Sequence, residues 1–200
     1  PIPTDGRPLE FSAYSFNADR VKSDTARLRW TPPPAPPRPR RAYVLTIGVN
    51  DYVEPQLTLN FAVPDAQLIA GRLASIPGYE MRHASLTTTR ANGRPQRMVS
   101  DEDVSDALSL LAGMPGDAIR QKLKARGHDV AALAEATPDD IVIISYSGHG
   151  HAGPDGSFAL VPSNARWALG APAPQPGAVI DADDLTMWLR AIKAAEIAFI

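Results

Sequence analysis

Ser147-Gly148-His149-Gly150 is the stretch of this chain best suited to chemistry. It comes directly after Ile141–Tyr146 (IVIISY), an apolar run of the kind that forms a strand buried on both faces. In open α/β sheets, reactive groups sit beyond the carboxyl ends of the strands. His149 therefore belongs at a strand end and not on a strand face. The flanking glycines permit backbone conformations that other residues resist, and they let a substrate approach. An imidazole so placed can take up or deliver a proton near neutral pH. A turn histidine without a duty is the bland alternative, and it suits a lone histidine better than one bracketed in this way. A metal site built from His149, His151 and Asp155 competes with proton transfer, because His-x-His can put two imidazoles on one side of a strand; no third ligand is compelling. Ser147 is a weaker nucleophile candidate, since Tyr146-Ser147-Gly148 lacks the Gly-x-Ser-x-Gly elbow that exposes a hydroxyl. The 200 residues contain no cysteine, which excludes disulfides, thiolate metal sites and a thiol nucleophile within them.

The strand-end rule points to two further places: Gly48-Val49-Asn50-Asp51, after the apolar run Tyr43–Val49, and the segment beyond Ile200. The elements around them alternate. Ala66, Ile69, Ala70 and Leu73 share a helical face, with a helix expected to begin at Ala66. His83–Leu86 reads as a short strand. Thr87–Val99 is polar, with Asn92-Gly93 and Pro95, and reads as a loop. Ser100 suits a helix N-cap, with Val104, Ala107, Leu108 and Leu111 after it at helical spacing. A helix over about Gly116–Arg126 should end at Gly127, and a short one is expected over Val130–Ala136. Phe158–Val161 reads as a hairpin strand and Ala165–Ala178 as a mobile loop. Leu185, Trp188, Leu189 and Ile192 form a helical stripe, and Glu196–Ile200 begins another strand. Such alternation implies a mostly parallel sheet with helices on both faces.

Upstream, Leu9–Phe16 and Thr25–Trp30 alternate loosely as two β segments around a turn at Asn17-Ala18-Asp19. Thr31–Arg41 (TPPPAPPRPRR) reads as a semi-rigid proline-rich linker. Hydrophobic residues make up 44% and charged residues 21% of the chain, the balance of a globular protein. A net charge of -2 gives no reason to expect a nucleic-acid or anionic-membrane partner. No apolar run approaches the roughly 20 residues that cross a bilayer. The chain opens on Pro1 and closes on an apolar strand-like run, so it is expected to be a piece of a longer protein. The compartment stays open, with the cytoplasm slightly favoured.

Tyr146–Gly150 (YSGHG) resembles the histidine motif of the caspase and metacaspase family of cysteine peptidases. Tyr43–Tyr52 (YVLTIGVNDY) is similar to the family's first strand and the turn after it, and Leu59–Leu73 (LNFAVPDAQLIAGRL) to its next segment with an Asp-Ala pair. Gly156–Pro162 resembles the hairpin after the histidine, and Val179–Ile192 the helix before the nucleophile strand. The resemblance spans about Tyr43–Ile200. It implies a caspase-hemoglobinase-like three-layer sandwich over residues 42–200, incomplete here. Phe11–Arg29 more weakly resembles the last strands of an immunoglobulin-like β-domain, placing the end of such a domain at residues 1–30, as in some large bacterial caspase-family proteins.

The resemblance implies a cysteine-type endopeptidase with a His-Cys dyad. His149 would be the catalytic histidine, and Gly150 would offer its N–H to the oxyanion. The cysteine would lie just past Ile200, so these residues alone should be inactive. Asp65 matches an aspartate that lines the specificity pocket of enzymes cleaving after Arg or Lys, the alternative being that it caps the helix at Ala66. The implied partners are a protein or peptide substrate and the upstream β-domain of the same parent. No cofactor is expected. Calcium activates many metacaspases, but Asp155, Asp181, Asp183 and Asp184 make no convincing cage, the last three fitting the acidic first turn of a helix. The competing function is a catalytically inactive caspase homologue used for regulation or recruitment.

Overall fold

The computed structural model describes residues 7–31, 39–153, 155–168, 171, 174–175 and 177–200. The chain divides into two units, residues 1–39 and 40–200. In the first, Leu9–Ala13 (β1) and Ala26–Trp30 (β2) pair antiparallel, with Leu9 opposite Trp30 and Ala13 opposite Ala26. Asn17 builds the expected turn: its Oδ1 accepts the N–H groups of Asp19 and Val21 at 3.0 and 2.9 Å. Phe11 and Leu28 remain more than half exposed, so this ribbon has no core of its own among the described residues. The expected linker at 31–41 lies largely outside the described residues. Its last residue, Arg41, opens a strand instead.

In the second unit the apolar runs become a four-stranded parallel sheet. Arg41–Gly48 (β3) lies between Glu80–Thr87 (β4) and, on its other side, Ile141–Ser147 (β7), with Glu196–Phe199 (β11) outermost beside β7. Two short antiparallel pieces complete the strands: Thr89–Ala91 (β5) with Arg94–Arg97 (β6), and Gly150–Ala152 (β8), Phe158–Leu160 (β9) and Ile180–Asp181 (β10). The helices are Ala62–Arg72 (α1), Asp101–Leu111 (α2), Gly116–Ala125 (α3) and Ala182–Ala191 (α4).

Period-two alternation assigns the two faces of β3. Tyr43, Leu45 and Ile47 point into the main core with Leu86, Val142, Ile144 and the α2 residues Val104, Ala107, Leu108 and Leu111. Gly48, on the opposite face, abuts α1: a Cβ there would lie 2.9 Å from the Val63 Cα and 3.0 Å from the Ala62 carbonyl. Helices thus cover both faces, as the α/β alternation implies. Asp140 ties the strand starts together. Its buried carboxylate accepts the Arg41 N–H at 2.8 Å and the Thr137 hydroxyl at 2.7 Å, and its carbonyl accepts the Ala195 N–H at 2.8 Å.

Two helices begin at capping boxes. Ser100 and Asp103 exchange hydrogen bonds at the start of α2, and Asp181 and Asp184 do so at the start of α4. The acidic group Asp181–Asp184 is thereby a helix N-terminus, as expected. Gly127 takes φ +85° after α3, the conformation that favours glycine at a helix end.

Three expectations are corrected. Thr87–Val99 is not a loop: β5 and β6 form a hairpin closed by Asn92 and Gly93, at φ 51° and 73°, the signature of a type I′ turn. Pro95 is tolerated because this two-stranded ribbon has solvent-facing edges. Val130–Ala136 is not a helix. The Leu133 N–H closes one turn onto the Val130 carbonyl, but the Ala131 N–H goes to Asp129 Oδ1 and the Ala136 N–H to the Leu111 carbonyl, so no helix follows. And α1 begins at Ala62, four residues before Ala66. The loop expected at Ala165–Ala178 lies partly outside the described residues.

Candidate functional site

The carboxyl ends of β3 and β7 lie side by side, with Gly48 opposite Ser147 in the parallel register. The two strand exits therefore meet: Val49–Tyr52 after β3, and Gly148–His149 after β7. The Val49 N–H donates to the Ser147 carbonyl at 2.9 Å and locks the two exits together.

His149 is held at three points. Its backbone N–H donates to the Tyr52 hydroxyl at 3.0 Å. Its carbonyl accepts the Val161 N–H at 3.0 Å, from the residue just past β9. Its ring Nε2 lies 2.9 Å from the Leu57 carbonyl oxygen. A carbonyl can only accept, so the proton of the neutral ring is on Nε2, and Nδ1 is left as the basic nitrogen. The Tyr52 and His149 rings also pack at a tilt, 5.3 Å between centroids.

The holders are themselves fixed. Tyr52 is buried and donates its hydroxyl proton to the Val49 carbonyl at 3.1 Å. Burial pushes its phenol up to about 12, against the smaller opposing effect of the His149 and Tyr146 hydrogen bonds, so it is neutral at physiological pH. Burial likewise raises Tyr146 well above the ordinary value, and its hydroxyl donates to the Val161 carbonyl at 2.6 Å. Leu57 closes a 3-10 turn, Pro55–Leu57, whose exit is pinned where the Leu59 N–H meets the Asn50 carbonyl at 2.8 Å.

Gly150 opens β8 opposite Leu160. The ladder bond between Val161 N–H and the His149 carbonyl makes Gly150–Leu160 a non-hydrogen-bonded pair, so the Gly150 N–H turns away from β9. Gly148 is constrained by its neighbour: a Cβ would stand 2.9 Å from the Tyr146 hydroxyl oxygen.

Asp65 is exposed and sits one turn into α1, so it does not cap that helix. That duty falls to Asn50, whose Oδ1 accepts the Val63 N–H at 3.2 Å. Asp65 lines a cleft of about 350 Å³ with Leu59, Phe61, Ala62, Ser147 and Gly148. The structure thus brings Asp65 to the glycine that precedes His149. His151 and Asp155 do not join them. Asp155 accepts the Ser157 hydroxyl at 2.6 Å, which holds its carboxyl below the usual range. No group of three or more His, Cys, Asp or Glu side chains suited to a metal occurs among the described residues. No helix among them is long and apolar enough to cross a membrane.

Sequence reasoning assigns no role to Tyr52, although its place just past a strand end is a signal. Leu57 is beyond its reach, because the group that acts is a backbone carbonyl. No family model matches the chain, and no curated protein matches it.

Proposed function

We propose that this chain is the histidine-bearing part of a caspase-like cysteine endopeptidase that cleaves after Arg or Lys. The caspase-hemoglobinase-like sandwich is part of the same proposal. The observation that carries it is the seating of His149 at the end of a parallel strand, with Nε2 engaged by Leu57 and Nδ1 left basic. A ring held by both backbone and Nε2 is oriented for proton transfer at a single nitrogen.

The nucleophile would come from the strand beside β7. Ile200 donates its N–H to the Ile144 carbonyl and accepts the Tyr146 N–H, both at 2.9 Å, so the parallel ladder is intact up to that residue. About three further residues in the same register would run alongside Gly148, next to His149. A thiol there would give its proton to Nδ1 of His149 and, as the thiolate, attack the scissile carbonyl carbon, forming a C–S bond as the carbonyl π pair moves onto oxygen. His149 would deliver a proton from Nδ1 to the departing amine as the C–N bond breaks. Water would then hydrolyse the thioester, its proton returning through His149. The outward Gly150 N–H suits a donor to the oxyanion, a contribution of ~3 kcal/mol to the transition state. The exposed carboxylate of Asp65, in the cleft beside Ser147 and Gly148, suits a guanidinium or ammonium side chain before the cut.

The test is a longer protein carrying the residues after Ile200, assayed on peptides with Arg, Lys or Asp before the cut. His149→Ala should lower kcat/KM by about 10²–10⁴. Undiminished turnover would sink the assignment. The 200 residues alone should be inert, having no thiol.

A further inference from the structure

Both groups of the 51–58 segment that hold His149, the Tyr52 hydroxyl and the Leu57 carbonyl, lie between Asp51 and Thr58. The two ends of that segment are joined by one side chain. Arg90 donates from Nε to the Asp51 carboxylate and from Nη2 to the Thr58 hydroxyl oxygen, the latter at 3.3 Å. We propose that Arg90 is a positioning residue for His149: its guanidinium staples the 51–58 loop closed and so fixes the seat of the imidazole. This rests on the peptidase reading for its catalytic meaning, though not for its geometry.

The arrangement suits a staple for three reasons. Asp51 is buried, with a side chain 2% exposed, so its charge demands a partner, and among the described residues Arg90 is the one that reaches it. A guanidinium presents several donors in a rigid fork and can serve two acceptors at once; a lysine ammonium on a flexible stem does so poorly. The arm carrying Arg90 is firm. The β5–β6 hairpin is anchored at its base by Arg97, which donates from Nε to the Thr87 carbonyl at 2.7 Å and from Nη1 to the Gly127 carbonyl at 2.7 Å. The register of the hairpin shifts between Thr89 and Arg90, an irregularity of the kind that re-aims a side chain. The opposite edge of the loop base is set by Thr88, whose hydroxyl accepts the Asn50 N–H at 3.0 Å.

The experiment reads the His149 ring nitrogens by ¹⁵N correlation spectroscopy on this 200-residue chain, in the wild type, Arg90→Lys, Thr58→Val and, as a control on the same hairpin, Arg94→Ala. Arg90→Lys keeps a charge beside Asp51, and Thr58→Val leaves the Arg90–Asp51 pair whole, so both should fold. The expected result is a protonated Nε2 and an unprotonated Nδ1 in the wild type and control. Both staple variants should instead show nitrogen shifts drawn toward the average of two exchanging tautomers. In a longer protein with its nucleophile, Arg90→Lys should lower kcat about 10- to 100-fold with KM changed less than about twofold. Spectra of both staple variants that superimpose on the wild type overturn the role of Arg90, whatever the fate of the peptidase reading. Turnover that survives His149→Ala overturns the peptidase reading, and the tautomer shift still decides the staple.

Discussion

The phenol oxygen of Tyr52 stands between the two strand exits, accepting the His149 N–H at 3.0 Å and donating to the Val49 carbonyl at 3.1 Å. One hydroxyl satisfies two backbone groups, the buried Val49 carbonyl and the half-buried His149 N–H, and Tyr52→Phe leaves both without this partner. The variant should lose about 1–3 kcal/mol of stability in urea denaturation at pH 7. It should also change the alkaline limb. An unfolded tyrosine ionises near ~10, whereas burial holds Tyr52 to about 12. Between those values the unfolded chain sheds its proton first, so stability is whole below pH ~10 and falls as pH rises toward ~12. Tyr52→Phe should remove part of that slope; an unchanged slope would show that Tyr52 does not titrate differently on folding.

Asp103 is the corresponding acid-side device. Its buried carboxylate accepts the Ser100 N–H at 2.8 Å and an Arg126 Nη1 donor at 2.8 Å, with His128 Nε2 3.7 Å away. Burial alone would raise its pKa. The neighbouring His128, Arg126 and Ser100 outweigh burial and hold the carboxyl far below the ordinary range. The stabilisation is therefore whole above the unfolded value of ~3.9 and is lost as pH falls below it. Asp103→Asn should cost about 2 kcal/mol at pH 7 by chemical denaturation. The gap to wild type should narrow as the pH is lowered below ~4.

Gly48→Ala tests the fit of α1 on the sheet. The added methyl would meet the Val63 Cα at 2.9 Å and the Ala62 carbonyl at 3.0 Å, both backbone, so the helix itself must move. A loss of about 1–3 kcal/mol in thermal or urea unfolding is expected. Because Val63 and Asn50 are hydrogen-bonded, the shift should also reach the loop that seats His149.

Asp65→Asn probes selectivity without touching the core, since the side chain is exposed. In a longer protein with its nucleophile, cleavage after Arg or Lys should fall about five- to tenfold, with stability unchanged within about 0.5 kcal/mol. Peptide profiling checks the first quantity and urea denaturation the second.

The sheet was legible because its strands are apolar runs, and Tyr43–Val49 and Ile141–Tyr146 need no context to be recognised as buried. Ser100 and Asp181 announced their helices through capping chemistry. The β5–β6 hairpin was hidden because its residues are polar and almost wholly exposed, leaving only Asn92-Gly93 as a signal. Val130–Ala136 misled in the other direction: an alanine-rich stretch has helical propensity, yet the amides of Ala131 and Ala136 bond outside it. His149 could be picked from its flanking glycines and strand-end position. Its supports could not, since they are a main-chain oxygen at Leu57 and a guanidinium at Arg90 that reaches Asp51 across 39 residues.

The strand order carries a consequence for how the molecule assembles. β3 meets β4 across a separation of 39 residues, as at Thr46 and Ser85, but meets β7 across 99, as at Ala42 and Ile141. Closing the longer loop costs about 0.8 kcal/mol more chain entropy, so β3–β4 pairing is favoured first and the distant pairing is the slower search. The segment bearing Tyr52 and Leu57 belongs to the early portion, and His149 arrives with the late one. On that order the imidazole docks late, onto a 51–58 segment that already carries Tyr52 and Leu57 but gains its Val53–Ser163 hydrogen bond only with the distant pairing.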